Sequence, residues 1–408
     1  MMHNMDKDRF ISLEVDSKNK LLNYLKKLES QHGWRPAYGI SASAEHTTVL
    51  SSCFALFIYE LTGELQQFST SERSEWAEYL KSFQDEKSGL FLDPLAHEED
   101  FANRKHDWQY FTWQTTFFCL SALDALGHTA LFPLRFIQPY RGTTALTTWL
   151  NGLNWGDPWL ESNKIMFLAS SLIQSGGLED VHFIFDWLDR HQDPQTGYWG
   201  TEQRADLLNA MAGAFHFYFL YLYLQRPFQY MEQIIDSTLS LQQPDGLYDP
   251  RGGGGACLDL DAVDILVKLS LLTDYRSEDI NASLQRTCQA VLSNQRGDGS
   301  FCEAVRAEPQ KSLKRRLAEI FLLDKVLKKP YRIPRFIERY AGWEKMAYGT
   351  GEGDLWSGWF RLLALALIST RYSDNKTSDT KWNFKSSAVL GWHDESRLSS
   401  VQSVAKRI

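Results

Sequence analysis

Residues 241–269 read LQQPDGLYDPRGGGGACLDLDAVDILVKL, and no other stretch of the chain is as dense in special residues. It joins a Gln and Asp-Gly turn (Gln242, Gln243, Asp245, Gly246), Tyr248, Arg251 and four consecutive glycines (Gly252 to Gly255) to a helix that opens on carboxylates. Glycines accept positive φ and can turn successive N–H groups toward one point, which makes an anion-binding nest at the positive end of the helix. At about 100° per residue, Asp259 and Asp261 lie roughly 200° apart on that helix, whereas Asp261 and Asp264 lie roughly 60° apart and share a face. Asp259 is the expected cap of the first turn. Asp264 stands among Ala262, Val263, Ile265, Leu266 and Val267, where a lone carboxylate is costly to bury. It must be partnered, solvated by a cavity, or protonated. Two carboxyls sharing a low-dielectric pocket push one pKa upward and can supply a proton.

Outward from this stretch the pattern recurs. A Gln, Asp/Thr/Ser, Gly, aromatic turn stands near Gln84, Gln192, Gln243 and Gln295, at gaps of 108, 51 and 52 residues, with Asn154-Trp155-Gly156-Asp157 at the middle of the long gap. An amphipathic stretch precedes each turn and an apolar one follows it. Examples are Val181–His191 before Asp206–Leu224, and Phe228–Leu241 before Ala262–Leu272. A helix apolar nearly all round must be buried, and one with a single apolar stripe lies outside it. Six such alternations at near-constant period predict an all-α fold, a single (α/α)6 toroid with an inner ring of helices wrapped by an outer ring. The predicted boundaries are an N-terminal helical extension over 1–33, the toroid over 34–370, and a polar, Ser-rich, poorly ordered tail over 371–408. Within the toroid, Lys311–Leu327 and Trp356–Ile368 are further expected helices. In this ring the inner-helix N-termini gather at one end, so Asp259, Asp261 and Asp264 share a mouth with His46, Trp113, Asn163, Asp206 and Trp359.

The bulk composition bounds the function. The chain has 408 residues, 43% of them apolar, with 14 Trp, 17 Tyr and 24 Phe, enough for a large core or an aromatic-lined cavity. A formal charge of −8 with no basic block interleaved with aromatics excludes a nucleic-acid footprint. The N-terminus lacks the apolar segment of a secretion signal, and no apolar run reaches the ~18 residues of a membrane helix. The longest candidate, Gly213–Leu224, is short and contains His216. A cytoplasmic protein acting on a small-molecule or lipid-like substrate is expected, with its oligomeric state open. Five scattered cysteines without a C-x-x-C read as reduced core fillers.

The turns QDPQTGYWG (192–200), QQPDGLYDP (242–250) and QRGDGSF (295–301) resemble the Gln-Trp repeats of the terpenoid cyclase and protein prenyltransferase superfamily, over most of the chain from about Trp34 to Ile368. CLDLDAVDIL (257–266) resembles the Asp-x-Asp-Asp motif of class II terpene cyclases. The resemblance implies that the middle Asp, which protonates an alkene or epoxide in that family, falls on Asp261, with Asp259 matching the first. The last Asp of the motif is Ala262 here, and the nearest substitute is Asp264. Class II cyclases have two helical domains where this chain has material for one. The prenyltransferase alternative fits one toroid but implies zinc on an Asp-x-Cys and a distant His. Cys257 precedes Asp259 here and no Asp-x-Cys occurs at this helix, so no metal site and no cofactor is expected, a divalent metal entering only together with a diphosphate substrate.

Three functions are compatible with these residues. The first is an isomerase or transferase acting on an isoprenoid by carbocation chemistry, with Asp261 as acid and Asp259 and Asp264 tuning it. The second is a carbohydrate-active hydrolase, lyase or epimerase using two carboxylates from Asp157, Glu161, Asp206, Asp261 and Asp264. The third is a non-catalytic binding toroid. Arg204 and Arg251 are the candidates for holding an anionic substrate group, or they pair with neighbouring acids. His46 is a proton shuttle or a polar residue at a helix start. Trp113 and Trp359 would stabilise a cation by their faces or stack on sugars. An aromatic cavity with one carboxyl at its apolar end favours the first function, an open polar cleft with facing carboxylates the second, and no pocket at the inner N-termini the third.

Overall fold

The computed structural model describes residues 7–32, 36–102, 104–305, 337–371 and 382–397. Among them are twelve α-helices. Six form the inner ring: α2 (Val49–Thr62), α4 (Trp108–Ala125), α6 (Pro158–Gln174), α8 (Leu207–Tyr223), α10 (Ala256–Leu269) and α12 (Leu355–Ser369). Six form the outer: α1 (Lys7–His32), α3 (Thr70–Lys81), α5 (Thr143–Asn151), α7 (Leu178–Arg190), α9 (Met231–Ser240) and α11 (Ser277–Ser293). Each inner helix packs on the next, and α12 packs back on α2, so the ring closes. The chain is the all-α toroid that its alternation predicts. Residues 311–327, expected to be helical, lie outside the described residues.

The two helix types separate by burial. Every residue of α8 from Ala210 to Leu222 is buried, because the helix has neighbours on all sides. In α9 only Ile234, Ile235, Ser237 and Thr238 are, one stripe facing inward. Inner helices start on side-chain caps that satisfy their first N–H groups: Thr48 for α2, Asp107 for α4, Asp206 for α8 and Asp354 for α12.

The recurrent Gln-Gly turn is the fastener of the ring. Gln242 Nε2 donates to the Gly246 carbonyl (3.0 Å) within its own turn and to the Ser283 carbonyl (2.9 Å) on the following outer helix. Gln295 repeats this with Gly299 (3.0 Å) and with Ser17 (2.9 Å) of α1. In the third repeat the clamp is Gln242, not the adjacent Gln243. Gly246 and Gly299 take φ of 87° and 93°. A Cβ there would come within 2.8 Å of the Arg286 carbonyl oxygen and 2.3 Å of that of Lys20. Only glycine allows both the left-handed turn and so close an approach. Because the last turn abuts α1, the first outer helix completes the ring.

Two boundaries differ from the expected ones. Helix α1 is not an extension, since it buries Leu21, Tyr24, Leu25 and Leu28 and packs against α2, α11 and α12. Residues 382–397 are not a loose tail either. They run across the C-terminal ends of the inner helices, where Lys385 pairs with Glu60, Asn383 N–H donates to the Leu61 carbonyl (2.9 Å) and Trp392 is fully buried. Its six apolar residues, Trp382, Phe384, Ala388, Val389, Leu390 and Trp392, are set in a Ser-rich polar stretch that reads as a tail. At the opposite end a short antiparallel hairpin, β1 (Ile337–Arg339) with β2 (Ala347–Gly349), lies at the mouth of the ring.

Candidate functional site

A cavity of about 300 Å³ opens at the N-terminal ends of α4, α6, α10 and α12. Tyr110, Phe118, Trp159, Trp356 and Phe360 from the inner helices and Tyr340 and Tyr348 from the hairpin region give it aromatic walls. Its polar groups are Asp261, Glu303, Asn163 and His216 within, and Lys105, His106, Glu338 and Arg339 toward the mouth. The rings lock one another: Trp356 lies 3.8 Å from Phe360 and 5.0 Å from Tyr340 between centroids, and its Nε1 donates to Cys257 Sγ (3.1 Å). A larger hollow of about 800 Å³ beside α5 is open to solvent and contains no buried acid.

The helical phase of α10 decides which carboxyl reaches the cavity. Asp259 faces away from it. Its oxygens accept the Tyr248 N–H (2.8 Å) and the Gly255 N–H (3.1 Å), and it is ion-paired with Arg361 from α12. Both side chains of that pair are 0% exposed. Burial raises the Asp259 pKa and Arg361 together with the two N–H groups pulls it back, so with three donors aimed at it Asp259 is a carboxylate. Two residues on, about 200° around the axis, Asp261 faces the ring interior. It is 1% exposed and its Oδ2 is buried with no hydrogen-bond partner among the described residues. Burial, with added repulsion from Asp264, Asp259 and Glu303, holds its pKa well above the ordinary value. Both effects favour the neutral, protonated form of Asp261.

Asp264 does not join it. One turn deeper, it is ion-paired with Lys268 at 2.5 Å, both buried, and it is absent from the cavity lining. The three aspartates therefore do not share a mouth. A single turn of helix sends each to a different neighbour.

Of the other residues expected at the site, Asn163 lines the cavity, its Nδ2 donating to the Trp159 carbonyl (2.9 Å). The rest do not. Trp113 packs outward on Phe136, Tyr140 and Trp149. Trp359 is buried behind the wall against Phe54 and Phe57. Asp206 is exposed and caps α8 through the Asn209 N–H, and Arg204 is exposed in a left-handed turn. Arg251 pairs with Asp249 and is 69% exposed, and His46 lies outside the lining. The glycine nest is real, with φ of 78°, 73° and 74° at Gly252, Gly253 and Gly254, but the protein's own carboxylates fill it. Gly253 N–H donates to Asp245 and Gly255 N–H to Asp259.

Several cavity residues were not legible as such. Glu303 follows the fourth Gln-Gly turn, and its carbonyl accepts from Ala256 N–H (3.0 Å) and Arg361 Nη2 (2.8 Å). Burial pushes its carboxyl up to about 7, against the pull of Arg361 and with repulsion from Asp259. His216 interrupts an otherwise apolar run. Its Nδ1 lies 2.8 Å from Ser162 Oγ, and burial pushes its pKa down to about 3, so it is neutral.

The electrostatics give a pH prediction. An acid that must donate a proton loses its active form as pH rises through its pKa. Above about 7 the charge on Glu303 helps keep the proton on Asp261. Replacing Glu303 by Gln removes that repulsion, so the alkaline limb of the pH–rate profile should move to lower pH. An unmoved or alkaline-shifted limb would show that Glu303 does not act on Asp261.

No three His, Cys, Asp or Glu side chains gather as a metal-ligand set among the described residues. Nor is any helix there long and apolar enough to cross a membrane.

The family model of the prenyltransferase alpha-alpha toroid domain matches residues 3–104 and 165–314 of the chain. No curated protein matches it. Among solved structures it is similar to the type II terpene cyclase MstE from Scytonema without ligand, at 14% identity and TM-score 0.45 over 89% of this chain and 98% of that one. An arginine-to-alanine variant of the same cyclase in complex with geranylgeranyl dihydroxybenzoate gives 13% and 0.44 over 88% and 99%. A polysaccharide lyase gives 11% and 0.46 over 89% and 99%.

Proposed function

The chain belongs to the prenyltransferase alpha-alpha toroid family, and from that premise we propose that it converts an isoprenoid substrate by acid-initiated carbocation chemistry, with Asp261 as the proton donor. The observation that carries this reading is a buried carboxyl with an unpartnered oxygen in the wall of an aromatic cavity, where burial favours the protonated form. In water such a group would ionise below pH 4 and protonate alkenes poorly. Desolvated and facing other acids, it keeps its proton for the substrate.

The Asp261 O–H bond breaks and a C–H bond forms at one carbon of a terminal alkene, or an O–H bond forms at an opening epoxide, leaving a tertiary cation. The π electrons of the next alkene close a C–C bond onto the cationic carbon and pass the charge along the chain. The faces of Tyr110, Trp159, Trp356 and Phe360 lower the energy of the moving cation, each by about 0.5–2 kcal/mol. The last cation loses a proton or takes up water. Neutral His216, with Ser162 fixing one ring nitrogen, is the base best placed in the lining to accept that proton. Asp261, left as a carboxylate, is reprotonated by way of Glu303, which lines the same cavity and titrates near neutrality.

A carbohydrate-active enzyme is the second reading, favoured by one observation: Asp261 and Glu303 both line the cavity. The aromatic walls and the modest volume speak against a bound oligosaccharide, and Asp157, Glu161, Asp206 and Asp264 are outside the lining. Incubation with prenyl diphosphates, squalene-like polyenes and uronic-acid oligosaccharides, followed by chromatography and mass spectrometry, tests the choice. The expected product is derived from a polyprenyl substrate, either as an isomer of unchanged mass and altered retention or as its hydrate. Consumption of the oligosaccharides alone would overturn the proposal.

A further inference from the structure

We infer that Leu390, carried by the C-terminal segment across the closed end of the ring, is the floor of the cavity and sets the length of hydrocarbon chain that the site accepts; this rests on the isoprenoid reading above. The segment is tied to the inner helices one after another. Lys385 pairs with Glu60 and Asn383 N–H with the Leu61 carbonyl, both at the end of α2. Ser170 Oγ of α6 donates to the Ala388 carbonyl (2.7 Å). Lys268 Nζ of α10 stands 5.5 Å from the centre of the Trp392 ring, and Tyr223 of α8 meets that ring edge-on at 6.0 Å. Each contact is made toward the C-terminal end of its helix, opposite the mouth. The segment thus stoppers the ring.

Among the described residues of this segment, Leu390 alone lines the cavity, and it is 3% exposed. Phe118, more than two turns into α4 from the mouth end, lines the cavity as well. A linear apolar chain that enters between the hairpin and the helix N-termini must therefore end against a leucine whose position is fixed from outside the ring. Shape at that point, with no polar group to satisfy, discriminates by methylene count. One methylene too many or too few in a hydrophobic pocket changes recognition by about tenfold or more.

The test is binding, not turnover. Calorimetric titration of the full chain with all-trans prenyl alcohols of ten, fifteen, twenty and twenty-five carbons gives the preferred length for wild type, Leu390→Ala and Leu390→Trp. Thermal melts establish that each variant is folded. Leu390→Ala should move the tightest-binding alcohol one five-carbon unit up, and Leu390→Trp one unit down, with roughly tenfold separation between neighbouring lengths. The same preferred length in wild type and folded Leu390→Ala would overturn the floor assignment while leaving the acid chemistry untouched. A shift in length by a protein that converts no polyprenyl substrate would uphold the floor and overturn the acid chemistry. Failure of wild type to bind any of the four would overturn both.

Discussion

Asp261→Asn should abolish conversion of the polyprenyl substrate, with a loss of at least about 10²–10⁴-fold in kcat, while the protein remains folded. Asparagine keeps the shape of the acid and has no proton to give. With Asp261 neutral, as its burial favours, the exchange removes no charge from the interior, and as a volume-conserving swap it should change stability by less than about 1.5 kcal/mol. Binding of a prenyl alcohol should be retained, which separates the proton step from recognition. The neighbouring aspartates behave differently. Asp264→Asn leaves Lys268 buried without its counter-charge, and Asp259→Asn does the same to Arg361, so each acts first on folding. Full activity in Asp261→Asn would remove the residue from the acid role.

Arg361→Ala should be the most damaging single change to the fold away from the acid. The guanidinium is 0% exposed and joins three parts of the chain: α12, which carries it, Asp259 on α10, and the Glu303 carbonyl beyond the fourth Gln-Gly turn. Its removal strands the Asp259 carboxylate in the interior, and breaking one side of a buried pair costs about 3–5 kcal/mol. Urea unfolding measures this as a lower midpoint with an unchanged slope. The cavity should suffer as well, because Arg361 fixes the loop that presents Glu303. A loss below about 1 kcal/mol, which is the range of an exposed pair, would contradict the buried geometry.

The ring was legible because it is made of local signals repeated. Amphipathic and apolar stretches alternate, and a Gln-Gly turn recurs at about fifty residues, so period alone implies closure. Asp261 was singled out by the resemblance of its helix to an Asp-x-Asp-Asp motif, whereas helical phase alone grouped it with Asp264, which pairs with Lys268 instead. The residues that complete the site were not legible. Glu303, Tyr340 and Tyr348 reach the cavity from loops and a hairpin, and Arg361 meets Asp259 across 102 residues of chain. No periodicity encodes such pairings. The glycine run misled for a physical reason: a nest attracts any anion, and the nearest were Asp245 and Asp259 of the chain itself. Leu390 was hidden in a Ser-rich stretch whose few apolar residues are enough to plug a ring but not to pattern a helix. Ser69 and Glu72, which form a capping box at the start of α3, show the opposite case, a local signal present in the sequence that starts the helix at Thr70.

The central claim is that burial keeps a proton on Asp261 at neutral pH, and infrared difference spectroscopy of wild type against Asp261→Asn reads that proton directly. The prediction is a protonated-carboxyl C=O band at pH 7, present in wild type and missing from the variant, that converts to a carboxylate band only at distinctly alkaline pH. A carboxylate signal already present at pH 7, titrating near the ordinary value for aspartate, would contradict the account.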